Sequence, residues 1–287
     1  MFEWIQKNSQ FFLPPVCNKC MYATQMKCFF VGGPNVRKDY HIEEGPEFFY
    51  MVKGDMCLKV VEQNKHKDVI IKEGEVFMLP PRIPHSPQRK ENTVGLVIER
   101  ARDKTEKDCL RYFVEKEGSP TSEVLYEKWF HCEDLGPQLA AIVKEYFDTV
   151  QYKTGVPLPD SIPKPEDCPF KVDEERKLMT PFSLKQWLAE NETKLCEQGA
   201  ADLFDFMLPG GTEVKVYGKG EQHGVVKDAE ILFWVLHGDC VVTDGGACKD
   251  YPISRDDTLW LPANTSYKLK VTEKDSKVLS IFMGSPA

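Results

Sequence analysis

No apolar run in the 287-residue chain is long enough to cross a bilayer: the longest, Ile231 to Leu236, is six residues, against about 20 for a spanning helix. There is no basic block either. Lys+Arg 37 against Asp+Glu 45 leave a net charge of −8, and a chain without clustered cations is a poor match for a phosphate backbone. The opening stretch MFEWIQKNSQFFLPP has no basic segment followed by an apolar core, so no signal peptide is expected. Ten cysteines are spaced irregularly. Only Cys17 and Cys20 have CxxC spacing, and no second CxxC or histidine pair completes a tetrahedral zinc site. Reduced thiols in a cytosolic chain are expected, with Cys17 and Cys20 read as buried small hydrophobes, and no membrane or nucleic acid as partner.

Hydrophobic residues at 41% and charged residues at 29% are ordinary for a folded protein. The first ~115 residues read as short strands (KCFFVGG, EFFYMVKG, MCLKVVE, DVIIKEGE, VFMLPP, VGLVIER) separated by Gly, Pro, Asn and Asp, as antiparallel barrels and sandwiches require. Leu135, Leu139, Ile142, Val143, Tyr146 and Phe147 recur at three- and four-residue steps and predict an amphipathic helix packed on a barrel. GVPLPDSIPKPEDCPF carries five prolines and reads as an extended linker. SLKQWLAENETKL reads as a helix, with Ser183 and Gln186 as its capping box. Strands resume near Leu203.

The second block of strands echoes the first. EFFYMVKGD (47–55) aligns with ILFWVLHGD (231–239), and IKEGEVFMLPPRIPH (71–85) with ISRDDTLWLPANTSY (253–267). The expected fold is therefore mostly β: two similar antiparallel β-barrels of jelly-roll type, joined by a helix and a Pro-rich linker. The expected boundaries are 1–157 for the first barrel with its C-terminal helix, 158–174 for the linker and 175–287 for the second barrel.

The copies differ where it matters. The first holds His41, Glu47 and His85; sliding the second onto it places Val225, Ile231 and Tyr267 there. Ligand-type residues in one copy and non-ligands in the other suit one metal-binding barrel and one metal-free barrel. Strand alternation puts Arg37, Asp39 and His41 on one face, and LPPRIP aims His85 back at the same mouth. Two histidines and a carboxylate leave open corners on an octahedral ion, as in non-haem Fe(II) oxygenases; the same set suits zinc. His66 in NKHK reads as an exposed loop residue, and His131, His223 and His237 have no partners at ligand spacing.

EGPEFFYMVKG resembles the first cupin motif and GEVFMLPPRIPHSPQR the second, with Gly74, Pro80 and His85 at the expected spacing. Glu43 stands where a second histidine is usual, Arg82 where a glycine is, and Arg89 where an asparagine is. With GGPNVRKDYHIEEGPE, PHSPQR, NTVGLVIER and EKWF, the chain is similar almost end to end to the animal-type 3-hydroxyanthranilate 3,4-dioxygenases, a bicupin family. The resemblance implies an Fe(2+) enzyme that opens the ring of 3-hydroxyanthranilate with O2, giving 2-amino-3-carboxymuconate semialdehyde on the kynurenine route to quinolinate and NAD. It implies His41, Glu47 and His85 as metal ligands, Arg37 and Glu47 as catalytic residues, and Arg37, Glu47, Arg89 and Glu99 as substrate contacts. The second barrel covers the face that single-barrel cupins use to pair, so a monomer is expected. A non-catalytic two-barrel binding protein and a cupin acting on another substrate remain the alternatives from the residues alone.

Overall fold

The computed structural model describes residues 1–13, 17–206 and 211–284. The chain opens with helix α1 (Phe2–Lys7) and then builds eleven strands: β1 (Asn18–Ala23), β2 (Met26–Gly32), β3 (Tyr40–Ile42), β4 (Glu47–Lys53), β5 (Met56–Glu62), β6 (Lys65–Ile71), β7 (Glu75–Leu79), β8 (His85–Arg89), β9 (Val94–Arg100), β10 (Asp108–Lys116) and β11 (Ser119–Phe130). Helices α2 (Leu135–Asp148) and α3 (Val150–Thr154) follow, then the proline segment without regular structure, β12 (Phe182–Ser183), α4 (Leu184–Glu190) and α5 (Glu192–Gln198). The second block contains β13 (Ala200–Asp202), β14 (Glu213–Tyr217), β15 (Gly220–Val226), β16 (Ile231–His237), β17 (Asp239–Asp244), β18 (Lys249–Ser254), β19 (Thr258–Leu261), β20 (Thr265–Val271) and β21 (Lys277–Phe282).

The first block forms two antiparallel sheets, ordered β1-β2-β9-β4-β7-β12 and β11-β10-β3-β8-β5-β6; the second forms β13-β14-β21-β16-β19 and β15-β20-β17-β18. The repeat seen in the sequence is a repeat of register. Glu47 pairs with Leu79 and Ile231 with Leu261, and both β4 and β16 carry a bulge at the same place, between Met51 and Lys53 and between Val235 and His237. Gly54 and Gly238 both turn at positive φ, 68° and 67°. A side chain at Gly238 would meet Ser276 Oγ at 2.1 Å, and one at Gly54 would meet Thr93 Cγ2 at 2.9 Å, so both copies need glycine there.

Strand alternation explains why EFFYMV and ILFWVL lack an apolar–polar pattern. Phe49 and Met51 face their own barrel, as do Phe233 and Val235 in theirs. Phe48 and Tyr50, Leu232 and Trp234, belong instead to one core shared by the two halves. Tyr50 and Trp234 rings meet there at 5.1 Å. Both faces of β4 and β16 are covered, so both read apolar. Glu230 crosses the join, accepting from Met26 N and Thr24 Oγ1 at 2.7 Å each.

Several expectations are refined. Helix α2 spans the predicted stripe, with Leu139, Ile142 and Tyr146 buried against β10 and β11; the side chain of Leu135 lies outside the described positions. The predicted single helix after Ser183 is two, α4 and α5, meeting at Asn191. Ser183 does accept from Gln186 N, but the Gln186 side chain turns forward to Glu190, so only half the capping box forms. Residues after the proline segment stay on the first barrel: Asp173 N donates to Arg82 O, and Phe182 pairs with Val76. His66 is not in a loop. Gln63 and Asn64, both at positive φ, make the two-residue turn, and His66 sits on β6, bridging the Tyr40 hydroxyl at 3.2 Å and Thr121 O at 2.9 Å. Among the described residues no helix is long and apolar enough to cross a membrane.

Phe48 is fully buried in the shared core and faces Phe204 across the join at 6.4 Å. Phe48→Ala should cost about 3–5 kcal/mol, read as a lower midpoint of urea unfolding. A loss below about 1 kcal/mol would mean that the two halves do not share a core.

Candidate metal centre

Three short strands of the first block bring the candidate ligands together. His41 is the middle residue of β3, and β3 pairs with β8 through His41 and His85 themselves. Residues paired in this way point to the same side. Glu47 opens β4 immediately after the Gly45-Pro46 turn. The LPPRIP segment is pinned at both ends, Arg82 N donating to Glu43 O at 2.7 Å and Val61 N to Pro84 O at 2.9 Å, which fixes where His85 starts its strand. His41, Glu47 and His85 are all buried, and one donor atom from each lies within 4.8 Å of the others.

The second barrel shows what an apolar version of this position looks like. Tyr267 replaces His85 as expected, but its pairing partner is Gly224, not Val225. The sequence alignment is thus one residue out at this strand, because β15 enters its barrel with a register shifted by one. Val225 is exposed, whereas the Tyr267 ring lies directly over Gly224, 2.5 Å from where a Cβ would be. Ile231, the counterpart of Glu47, packs in the same core, and Phe233 meets Tyr267 at 5.2 Å. A phenol ring fills the space that in the first barrel is left between polar groups.

His85 Nδ1 donates to Ile83 O at 3.0 Å, which turns Nε2 toward Glu47 Oε1 at 2.9 Å. That Glu47 oxygen is buried and has no aligned hydrogen bond. Two lone-pair atoms at this spacing need either a shared proton or a cation beside both; neighbouring ligands of an octahedral ion with bonds of about 2.1 Å lie about 3 Å apart. His41 is likewise held from outside, with Nε2 2.7 Å from Asp108 Oδ2. His85 therefore has one nitrogen anchored and one turned to the centre, as metal-binding histidines do.

The charges favour a cation as well. Glu43, Glu47 and Glu99 form a second buried trio within 4.8 Å, and Asp108 is buried beside them. Three of these four carboxylates share one enclosed guanidinium, Arg102, ion-paired with Glu43, with Glu99 at 3.2 Å and with Asp108 at 3.0 Å. Burial raises Glu99 and raises Glu43 well above the usual carboxylate range. Burial also works against charge on Glu47, but the facing His85 and His41 hold it down to about 2. For His85, burial opposes the cation and Glu47 overcomes it, so the imidazole is raised. The donor set and the orphaned Glu47 oxygen both fit a divalent metal ion.

The remaining predicted residues are at hand in different states. Arg89 closes β8, is 3% exposed, and its Nε has no hydrogen-bond partner. Burial, with Arg37 nearby, pulls it down to about 10. No ion pair among the described residues involves it. Arg37 is not free: it grips Asp39 through Nε at 3.0 Å and through Nη2. It also lies ahead of β3 rather than on it, since that strand begins at Tyr40. Glu99 is 2% exposed with Oε1 lacking a hydrogen bond. Arg82 pairs with Glu44 at 2.9 Å on the surface.

Sequence reasoning missed Glu43 as a member of the cluster, although the alternation Asp39, His41, Glu43 points to it. Arg102 and Asp108 were missed too. They lie in a charged connection, ARDKTEKD, where nothing separates them from solvated neighbours.

The sequence pattern of the 3-hydroxyanthranilic acid dioxygenase family matches residues 1–147. A protein of Rattus norvegicus named 3-hydroxyanthranilate 3,4-dioxygenase is 49% identical over 265 residues, covering 92% of this chain and 89% of its own. A Nematostella vectensis protein of the same name is 48% identical over 288 residues, covering 100% and 99%. In fold, a salicylate 1,2-dioxygenase variant from Pseudoaminobacter salicylatoxidans superposes with a TM-score of 0.55 at 10% identity, over 98% of this chain and 80% of that one.

Because His85, Glu43 and Glu99 are all raised, the folded metal-free protein binds more protons than the unfolded chain. Stability should then rise as pH falls from 8 to 6. For His85 the gain is complete below its ordinary value of about 6.5 and is lost as pH climbs through the raised one. Thermal melting of chelator-stripped protein checks this; a lower midpoint at pH 6 than at pH 8 would contradict the charge arrangement.

Proposed function

The chain belongs to the 3-hydroxyanthranilic acid dioxygenase family, and on that footing we propose that it opens the ring of 3-hydroxyanthranilate with O2, using Fe(2+) held by His41, Glu47 and His85. The observation that supports this reading is the convergence of those three buried side chains in the one barrel whose twin has Gly224, Ile231 and Tyr267 there. When bound, ferrous ion supplies a Lewis acid that lowers the pKa of the substrate phenol and a path for electron density from ring to oxygen.

The chain's own groups account for selection and orientation. A ring carboxylate calls for a planar cation, and Arg89 is a buried guanidinium with an unused Nε; a bidentate charge-assisted contact there fixes the ring in its plane. Arg37 adds positive charge at the rim, with Asp39 limiting how far it reaches. Glu99, raised by burial, accepts a hydrogen bond from the substrate hydroxyl or amino group or holds the proton that the phenol gives up. Burial of Arg89 and Glu99 keeps bulk water away from them and strengthens each contact. The product expected is 2-amino-3-carboxymuconate semialdehyde, the precursor of quinolinate. Catalysis falls to the first barrel, residues 1–157 with the strand Phe182–Ser183 added to its sheet, and the strands from Ala200 onward form a metal-free unit that packs against it. Ten unpaired cysteines suit the cytosol, and a monomer is the expected state.

Oxygen uptake on adding 3-hydroxyanthranilate to the ferrous-loaded protein, with the absorbance of the muconate product, tests the reading. No uptake in a folded, iron-loaded sample rules it out. Arg89→Ala removes contacts worth about 1.5–3 kcal/mol, so kcat/KM should fall about ten- to hundredfold with iron still bound. An unaltered KM would exclude Arg89 as the carboxylate partner.

A further inference from the structure

The two barrels differ by more than their ligands. In the second, the sheet β15-β20-β17-β18 ends at β15; in the first, the equivalent strand β3 is flanked by an added hairpin, β10–β11. The hairpin begins at Asp108, whose side chain is 0% exposed. Its Oδ2 faces His41 Nε2 at 2.7 Å. Arg102 holds the carboxylate from the other side, Nε donating to Oδ1 and Nη2 to Oδ2, both at 3.0 Å. Burying an acid this deeply is costly unless a cation and hydrogen bonds satisfy it, and Arg102 and His41 supply both. His85, by contrast, is held by a neutral backbone carbonyl.

We infer that Asp108 is a positioning residue for the metal site. By accepting the N–H of one imidazole nitrogen it fixes the tautomer and tilt of His41, so that the other nitrogen is presented to the centre, and its charge makes that nitrogen a better donor. Arg102 keeps Asp108 from turning into the site, where it would compete with Glu47. The pair also links the two functions of the pocket, because the same guanidinium contacts Glu99. This rests on His41, Glu47 and His85 being the ligands.

Zn2+ and, under nitrogen, Fe2+ are titrated into metal-free wild type, Asp108→Asn, His41→Ala and the double variant. Asp108→Asn should raise the metal Kd about 10- to 100-fold. In the His41→Ala background the same change should move Kd by less than about twofold, since a residue that acts through His41 has nothing left to act on. An unchanged Kd in Asp108→Asn, or an equal loss in both backgrounds, overturns the inference. Tight binding by His41→Ala would instead refute the ligand set itself, so the two failures are separable. If Asp108→Asn does not fold, the wild type answers alone. Zinc-loaded protein with 15N-labelled histidine should show one slowly exchanging, downfield ring N–H from His41, and its absence overturns the inference.

Discussion

A surplus of buried carboxylate is the constraint on which the first barrel depends. Glu43, Glu47, Glu99 and Asp108 are enclosed together, and one arginine, Arg102, touches three of them. In a low-dielectric interior such a group of acids survives only by taking up protons or by gathering cations. His85, raised by Glu47, does part of this in the metal-free protein, and a divalent ion among the acids does it better. The same surplus explains why a buried Arg89 is tolerated without an ion-pair partner among the described residues. Its guanidinium sits at the end of β8 within the field of the Glu47 charge, ready for a carboxylate that arrives from outside.

The second barrel is what the fold becomes when that constraint is lifted. With Gly224 in place of a histidine and Ile231 in place of the acid, the interior closes over a tyrosine in an apolar cluster. Its outer sheet face serves the shared core, where Leu232 and Trp234 on β16 and Leu279 and Ile281 on β21 join Phe30, Phe48 and Ile98 of the first barrel. One strand plan thus encloses acids and histidines in the first barrel and an apolar cluster in the second.

Much of this was legible in the sequence. The repeat of EFFYMVKGD in ILFWVLHGD predicted two barrels of one plan, and in the structure the aligned strands also share their register and bulge. His41, Glu47 and His85 stood out because their counterparts are not ligands. The His41 counterpart was misassigned by one residue, since no turn signal between Gly220 and Val226 marks where β15 enters the sheet. His66 was misread because its loop-like neighbours, Asn64 and Lys65, hide a two-residue turn. Arg102 and Asp108 gave no signal, since their roles depend on the β9–β10 connection folding back into the barrel, a long-range event that spacing does not encode.

The central claim is that one divalent ion sits among His41, Glu47 and His85 and nowhere else in the chain. Anomalous diffraction at the iron edge from crystals grown with ferrous ion tests it most directly. The account predicts a single peak per chain, bonded to those three side chains, with the second barrel empty. A peak bonded to other residues, or none among these three, would contradict it.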